Sequence, residues 1–156
     1  MLVRIVRRLT PEEVKQSIKK FEHKYNMNFD EFEERFLEER LNKRTAETYF
    51  EWAALMDAYR GYIEEGELDY TVEELRTLTP KDMAVITPKR LELLYTLAHL
   101  RVESINNLAH KVHRDVKNIY QDLQILKKLG FVTLKRIGKR NIVPETLVEE
   151  ISFLIH

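Results

Sequence analysis

Apolar and polar residues in the first third of the chain change from a strand-like pattern to a helical one. Residues 1–9 alternate apolar and arginine side chains and predict a strand or a basic arm. Thr10-Pro11-Glu12-Glu13 then combines an N-cap, a first-turn proline and a capping-box glutamate. These signals predict a helix that extends to about Tyr25.

Two further helices are predicted, beginning at Asn28 and spanning about Thr45 to Arg60, with Gly61 ending the latter. Thr71-Val72-Glu73-Glu74 predicts the cap of a short fourth helix. The apolar faces of the second and third helices consist of Phe32, Phe36 and Leu37, and of Tyr49, Trp52, Ala53, Met56 and Tyr59. Two interpretations stay open: these faces form the core of a small helical bundle, or they form an aromatic docking surface with an acidic rim.

In the second half of the chain, the same periodicity predicts three helices in close succession. Thr87-Pro88 begins the first and Ser104 caps the second. After a tight turn at His113-Arg114, Asp115 is expected to cap a third helix that reaches Leu129. Two helices separated by so short a turn are typical of a helix-turn-helix.

A β-hairpin is predicted after the third helix. Residues 131–136 and 140–143 are typical of two strands joined across Ile137-Gly138-Lys139. Three helices followed by a hairpin make a winged helix-turn-helix. Residues 144–155 are then expected to form a C-terminal helix, which either closes the domain or pairs with its copy in a homodimer.

The polar side of the third predicted helix carries side chains that read DNA bases. Lysine donates to guanine or phosphate, and asparagine and glutamine pair with adenine. Four cations at the predicted wing suit phosphates or a minor groove. The candidate DNA-binding residues are Lys117, Asn118, Tyr120, Gln121, Gln124 and Lys128 on the helix, and Lys135, Arg136, Lys139 and Arg140 on the wing. The alternative is a solvated helix face with a hairpin charged for solubility.

The net charge of zero conceals a division along the chain. Residues 1–78 hold 13 Lys/Arg against 18 Asp/Glu, a net charge of −5, whereas residues 79–156 hold 13 against 8, a net charge of +5. Eleven of the 15 aromatic residues lie between Phe21 and Tyr70. This division predicts an acidic, aromatic-rich helical region, 1–78, and a basic domain, 79–156.

Several other classes of protein lack support in the sequence. No apolar run reaches the roughly 18 residues that a membrane span needs, and the start lacks the uninterrupted apolar core of a secretory signal. With no cysteine in addition, a cytoplasmic protein is expected. His110 and His113 alone fall short of a zinc ligand set. Without a glycine-rich phosphate loop or a nucleophile motif, we expect no enzyme activity, metal or cofactor.

The second half of the chain also resembles a known family. The segments 86–94, 103–109, 114–119 and 126–132 are similar to the winged-helix core of archaeal DNA-binding proteins in the MarR/ArsR-like superfamily. His113 departs from the glycine that such turns often have. Residues 24–32, followed by Glu51-Trp52, resemble antitoxin subunits of toxin-antitoxin pairs.

Together these observations predict a mainly α protein with a winged helix-turn-helix domain and a β-hairpin wing. The expected function is sequence-specific binding of double-stranded DNA by a dimeric transcriptional regulator, as in an autoregulating antitoxin with a protein partner on its acidic region. The alternative is a protein-interaction module in which the winged helix is a scaffold that binds a protein partner.

Overall fold

The computed structural model describes residues 1–39 and 43–156, which divide into two compact units. Leu9–Thr71 form the helical unit, and Met1–Arg8 together with Val72–His156 form the strand-containing unit. The helical unit is therefore an insertion between two segments of the other unit. Residues 1–8 and 72–78, which were predicted to belong to the N-terminal region, lie within the strand-containing unit.

The described residues form seven helices and five strands. The helices contain 57% of these residues and the strands contain 22%. In chain order they are β1 (Leu2–Arg8), α1 (Pro11–Tyr25), α2 (Phe29–Glu39), α3 (Lys43–Glu65), β2 (Thr71–Thr77), α4 (Pro80–Val85), α5 (Pro88–His99), α6 (Ile105–Lys111), α7 (Val116–Lys128), β3 (Val132–Ile137), β4 (Asn141–Thr146) and β5 (Val148–Leu154). The prediction of a mainly α protein is wrong, because the described residues make a mixed α/β fold with two small antiparallel sheets.

The helical unit packs around Trp52, which is fully buried. Its ring lies 5.3 Å from that of Phe21 and 5.0 Å from that of Phe32, so α1, α2 and α3 all contribute to this core. The aromatic faces thus pack mainly within the unit, as the bundle interpretation expects. Leu37 of the predicted α2 face is 67% exposed and is an exception.

Local capping signals mark the starts of most helices among the described residues. The predicted capping box of Thr10 and Glu13 is present at α1, and Thr87 and Ser104 accept hydrogen bonds from backbone amides at the starts of α5 and α6. Helix α3 continues through Gly61, where it was predicted to end. It stops before Gly66, which has a φ of +80° that favours glycine.

The first sheet has the strand order β2-β1-β5. The predicted strand at residues 1–9 is confirmed as β1, which pairs with β5 in antiparallel register from Leu2 opposite Leu154 to Arg7 opposite Val148. Strands β2 and β5, the two that pair with β1, both lie where a helix was predicted. Residues 71–77 are a strand rather than a capped helix, and residues 144–146 and 148–154 belong to β4 and β5 rather than to a C-terminal helix.

The core of the strand-containing unit joins β1 to the helices that follow. Val3 and Ile5 of β1 are fully buried in one cluster with apolar side chains of α5, α6 and α7 and with Phe131. Arg76 of β2 reaches the same region, since its guanidinium lies 5.6 Å from the centre of the Phe131 ring. The strands therefore support α5, α6 and α7, and most of the candidate DNA-binding residues project from α7.

Candidate nucleic-acid interface

Helix α7 is held against the core by one apolar stripe. Ile119, Leu123 and Leu126 are buried, as their spacing predicts. Val116 was expected to begin this stripe, but it is 41% exposed because it lies beside an open groove instead. The opposite side of α7 faces solvent.

The polar residues of α7 form a ridge on that solvent side. An α-helix turns by about 100° per residue, which places Lys117, Gln121, Gln124 and Lys128 within a sector of about 60°. Asn118 and Tyr120 lie on opposite flanks of this sector. All six are exposed except Gln124, which is half-buried. We call residues 117, 118, 120, 121, 124 and 128 the α7 ridge.

The predicted hairpin is present as β3 and β4, and its four candidate cations are exposed. They do not share one face. Arg136 pairs with Ile142 and Lys135 pairs with Val143, and successive side chains along a strand point to opposite faces. Arg136 therefore lies on the face that carries Ile142, Lys135 lies on the other face, and Lys139 lies in the turn.

An open groove of about 650 Å³ brings α7 and the hairpin together. Its lining consists of Ser104, Ile105 and Asn106 at the start of α6, Asp115, Val116, Lys117 and Tyr120 at the start of α7, Arg140 in the hairpin turn, and Asn141 and Ile142 at the start of β4. Three of the candidate residues, Lys117, Tyr120 and Arg140, thus line one concave surface. Asn106 and Asn141 line it too and were not predicted as site residues, although both are polar residues within predicted elements.

Asp115 and Asp122 are the two acidic residues of this region, and they differ in what their side chains contact. Asp115 occupies the N-cap position of α7, but its side chain makes no capping hydrogen bond, contrary to the prediction, and it lines the groove. Asp122 is buried and accepts hydrogen bonds from Arg90 and Arg114. The carboxylate of Asp122 is therefore neutralised within the fold and adds no exposed negative charge to α7.

Comparison with known proteins finds one family model that matches this same region. The family model HVO_A0114 matches residues 85–152, which is less than half of the chain and spans α5 to most of β5. Neither a curated protein nor a solved structure matches the chain. The strand-containing unit is thus similar to HVO_A0114 from α5 through the hairpin.

Two other kinds of site are absent from residues 1–39 and 43–156. None of the helices there combines the length and the apolar character of a membrane span. Within the same residues, no three His, Asp or Glu side chains are grouped so that they could hold a metal ion.

Proposed function

We propose that this protein is a transcriptional regulator that binds double-stranded DNA in a sequence-specific manner. In this proposal the α7 ridge enters the major groove, and cations of the β3–β4 hairpin contact the flanking backbone. A homodimer would present two such surfaces to two half-sites. The observation that carries the proposal is the common groove lined by Lys117, Tyr120 and Arg140.

The charge of the strand-containing unit supports the same proposal. This unit holds 17 Lys/Arg against 10 Asp/Glu, a net charge of +7. The α7 ridge includes Lys117 and Lys128 and has no acidic member. Asp122, the one acidic residue within α7, is paired inside the fold. Such a surface attracts the phosphate backbone of DNA at a distance, and amide side chains beside it can distinguish bases on contact.

The test is selection of bound duplexes from a random pool, followed by binding measurements on the selected site and on an unrelated duplex. If the protein binds DNA as a symmetric dimer, the selected site should be palindromic. Gln121→Ala is expected to cost about 1 to 3 kcal/mol on the selected site alone. Arg140→Ala should weaken binding to both duplexes and lower the salt slope by about 1.

The hairpin offers a matched control for these variants. Lys135→Ala and Arg136→Ala each remove one exposed cation from β3, but the two side chains lie on opposite faces. We expect Arg136→Ala to weaken binding more, because Arg136 shares the face of Ile142, which lines the groove. Failure to enrich any duplex, or equal affinities after all of these changes, would reject the proposal.

A second candidate function is supported by the helical unit. It holds 9 Lys/Arg against 16 Asp/Glu, a net charge of −7, and exposes Leu37 and Phe50 by 67% and 65%. Acidic surfaces with apolar anchors suit a basic protein partner, as in an autoregulating antitoxin. A pull-down from native lysate, with and without nuclease, tests this idea. One basic protein at fixed ratio supports it, and a loss of every captured protein after nuclease opposes it.

A further inference from the structure

An ion-pair cluster around a buried carboxylate lies next to the α7 ridge, and the proposal above assigns no role to its arginines. Asp122 is 8% exposed and is the one charged residue among the buried residues that the structure describes. Its Oδ1 accepts a hydrogen bond from Arg90 Nε at 2.9 Å, and its Oδ2 accepts one from Arg114 Nη2 at 2.6 Å. Two guanidinium groups share one carboxylate, so the cluster keeps a net charge of +1.

This cluster joins three parts of the unit. Arg90 lies in the first turn of α5, Arg114 lies in the turn between α6 and α7, and Asp122 lies in the middle of α7. The backbone amide of Arg114 also donates to the carbonyl of Ala109 at 3.0 Å. Both the backbone and the side chain of Arg114 are therefore fixed.

The position of Asp122 on the helix determines where the guanidinium of Arg114 is held. Residues four apart lie on the same side of an α-helix, so Asp122 shares a flank of α7 with Asn118. Tyr120 and the groove lie on the other flank. Arg114 thus adds a cation on the side of the α7 ridge that is opposite the hairpin.

Arg114 also keeps donors for a ligand. A guanidinium has five N–H donors, and the described hydrogen bonds of the Arg114 side chain use one of them. Its side chain is 24% exposed. Arg90, in contrast, donates from Nε to Asp122 and from Nη1 to the carbonyl of Val85. The described hydrogen bonds thus use two donors of Arg90 and one of Arg114, and the Arg90 side chain is the less exposed of the two, at 19%.

We propose that Arg114 binds a DNA phosphate beside the α7 ridge and that Asp122 is the positioning residue that holds it there. This inference rests on the proposed function. A guanidinium that is already ordered loses less side-chain entropy on binding than a free one, which favours the contact. The phosphate would lie on the far side of the ridge from Arg140, so the ridge would be flanked by backbone contacts on both sides.

The decisive variant is Asp122→Asn, because charge and positioning predict opposite results. Removing a negative charge near DNA should strengthen binding if Asp122 acts only through its charge. If Asp122 positions Arg114, the asparagine variant should bind DNA about tenfold more weakly, although its net charge has risen by one. Affinity is measured over a range of salt concentrations, on the selected duplex and on an unrelated one.

Arg114→Ala and Arg90→Ala are a matched pair that controls for loss of the ion pair. Each removes one positive charge and one hydrogen bond to Asp122. Arg114→Ala should weaken binding to both duplexes about tenfold and lower the salt slope by about 1, whereas Arg90→Ala should leave the slope unchanged. In the Arg114→Ala background, Asp122→Asn should cause no further loss. Urea unfolding of each variant identifies the conditions in which all are folded.

Tighter binding by Asp122→Asn, or equal salt slopes for Arg114→Ala and Arg90→Ala, would overturn the inference. If Asp122→Asn does not fold, the arginine pair still decides. The two proposals fail in distinguishable ways. Absence of duplex binding by the unaltered protein rejects the proposed function and this inference together. Loss of binding in Lys117→Ala, with equal effects of the two arginine variants, rejects the role of Arg114 alone.

Discussion

At the scale of single residues, Glu74 shows how charged side chains can occupy the inner positions of a strand. Arg7 of β1 donates to Glu74 Oε1 at 3.1 Å, and Arg76 donates to the same oxygen. Burial alone would raise the pKa of Glu74, but the hydrogen bonds from Arg76 and Arg7 outweigh it and the pKa lies below the usual 4.5. Glu74 thus joins β1 to β2 through its charged form.

This arrangement predicts a defined dependence of stability on pH. A carboxyl group with a lower pKa in the folded state stabilises the fold above its unfolded pKa, and this contribution is lost as pH falls through the folded pKa. Glu74→Gln should therefore lower the free energy of unfolding at pH 7, and the difference from the unaltered protein should shrink below about pH 4.5. Urea unfolding at a series of pH values from 7 to 3 measures it.

Glu73→Gln is the control for that experiment, because Glu73 is the exposed neighbour of Glu74 on β2. Its substitution should change stability little at any pH. The pKa values of Asp82 and Glu150 are also lowered, mainly by hydrogen bonds from Thr79 and Ser152, so acid should still destabilise the Glu74→Gln variant to some extent. A difference between that variant and the unaltered protein that stays constant from pH 7 to 3 would contradict the assigned role.

At the scale of secondary structure, the turn of the β3–β4 hairpin depends on one glycine. Gly138 has a φ of +67°, a backbone conformation that side chains rarely adopt, and a Cβ atom there would meet nothing within 4 Å. The constraint on this position is therefore conformational and not steric. Gly61 is also free of neighbours within 4 Å, but it lies inside α3 and lacks a positive φ.

The same substitution should thus have opposite effects at the two glycines. Gly138→Ala should destabilise the protein by about 1 to 2 kcal/mol, and Gly138→Asn by less, because asparagine tolerates the left-handed region. Gly61→Ala should stabilise the helical unit by about 0.5 to 1 kcal/mol. Urea unfolding followed by circular dichroism measures the first pair, and the fluorescence of Trp52, the single tryptophan, measures the second. A stabilising Gly138→Ala would show that the turn is assigned incorrectly.

Elements with local signals were predictable, and elements with distant partners were not. Thr10 with Glu13, Thr87 and Ser104 mark helix starts by contacts within a few residues, and the sequence displays them. Residues 71–74 imitate such a start, yet they form β2, in which Glu74 faces inward because Arg7, 67 positions away, pairs with it. No pattern within β2 reveals that pair.

The prediction of a C-terminal helix was wrong for a related reason. Leu147, Val148, Ile151, Leu154 and Ile155 fit the spacing of a helical face, but residues 148–154 form β5. Pairing with β1 overrides the local periodicity, since tertiary contacts outweigh weak intrinsic preferences. The predicted strand at residues 1–9 held the missing signal, because a strand needs partners to satisfy its backbone and none was predicted for it.

The candidate site was predictable in its α7 part and less so in its hairpin. Helical spacing alone places Lys117, Gln121 and Lys128 on the solvent side, where all three are exposed. Strand alternation alone places Lys135 and Arg136 on opposite faces, but which of them shares the face of the groove depends on the strand register, which the sequence left open. The partners of Asp122 were hidden too, because Arg90 lies 32 positions away in another helix.

At the scale of the whole molecule, the division of charge is larger than a boundary between residues 78 and 79 indicates. Counted over the two units, the net charges are −7 and +7 rather than −5 and +5. Residues 1–8 and 72–78 account for the difference, since they carry Arg4, Arg7, Arg8 and Arg76 against two glutamates. A unit built from two separate segments cannot be recognised from a single cut in the sequence.

The insertion predicts that the strand-containing unit folds without the helical unit. Its main apolar core, among the described residues, has no member from Leu9–Thr71. The adjoining ends of the insertion are close, since the Leu9 amide donates to the Tyr70 carbonyl at 2.9 Å. Replacing residues 10–69 by Asn-Gly, which favours a tight hairpin turn and would join the paired residues Leu9 and Tyr70, should give a protein with a cooperative thermal transition. An aggregated product or a transition without cooperativity would show that the unit needs its insertion.

The shortened protein also separates the electrostatic effect of the helical unit on DNA binding from any other. Its net charge is +7 instead of zero, so it should bind unrelated duplexes more tightly at low salt, and the gain should vanish near 1 M salt, where screening leaves a Debye length of about 3 Å. Changing Glu33, Glu34, Glu38 and Glu39 to Gln in the intact chain raises the net charge by four and keeps the unit. If charge is the cause, this variant should gain affinity in the same direction and by a smaller amount. No gain in it beside a large gain in the shortened protein would instead indicate that the helical unit obstructs DNA sterically.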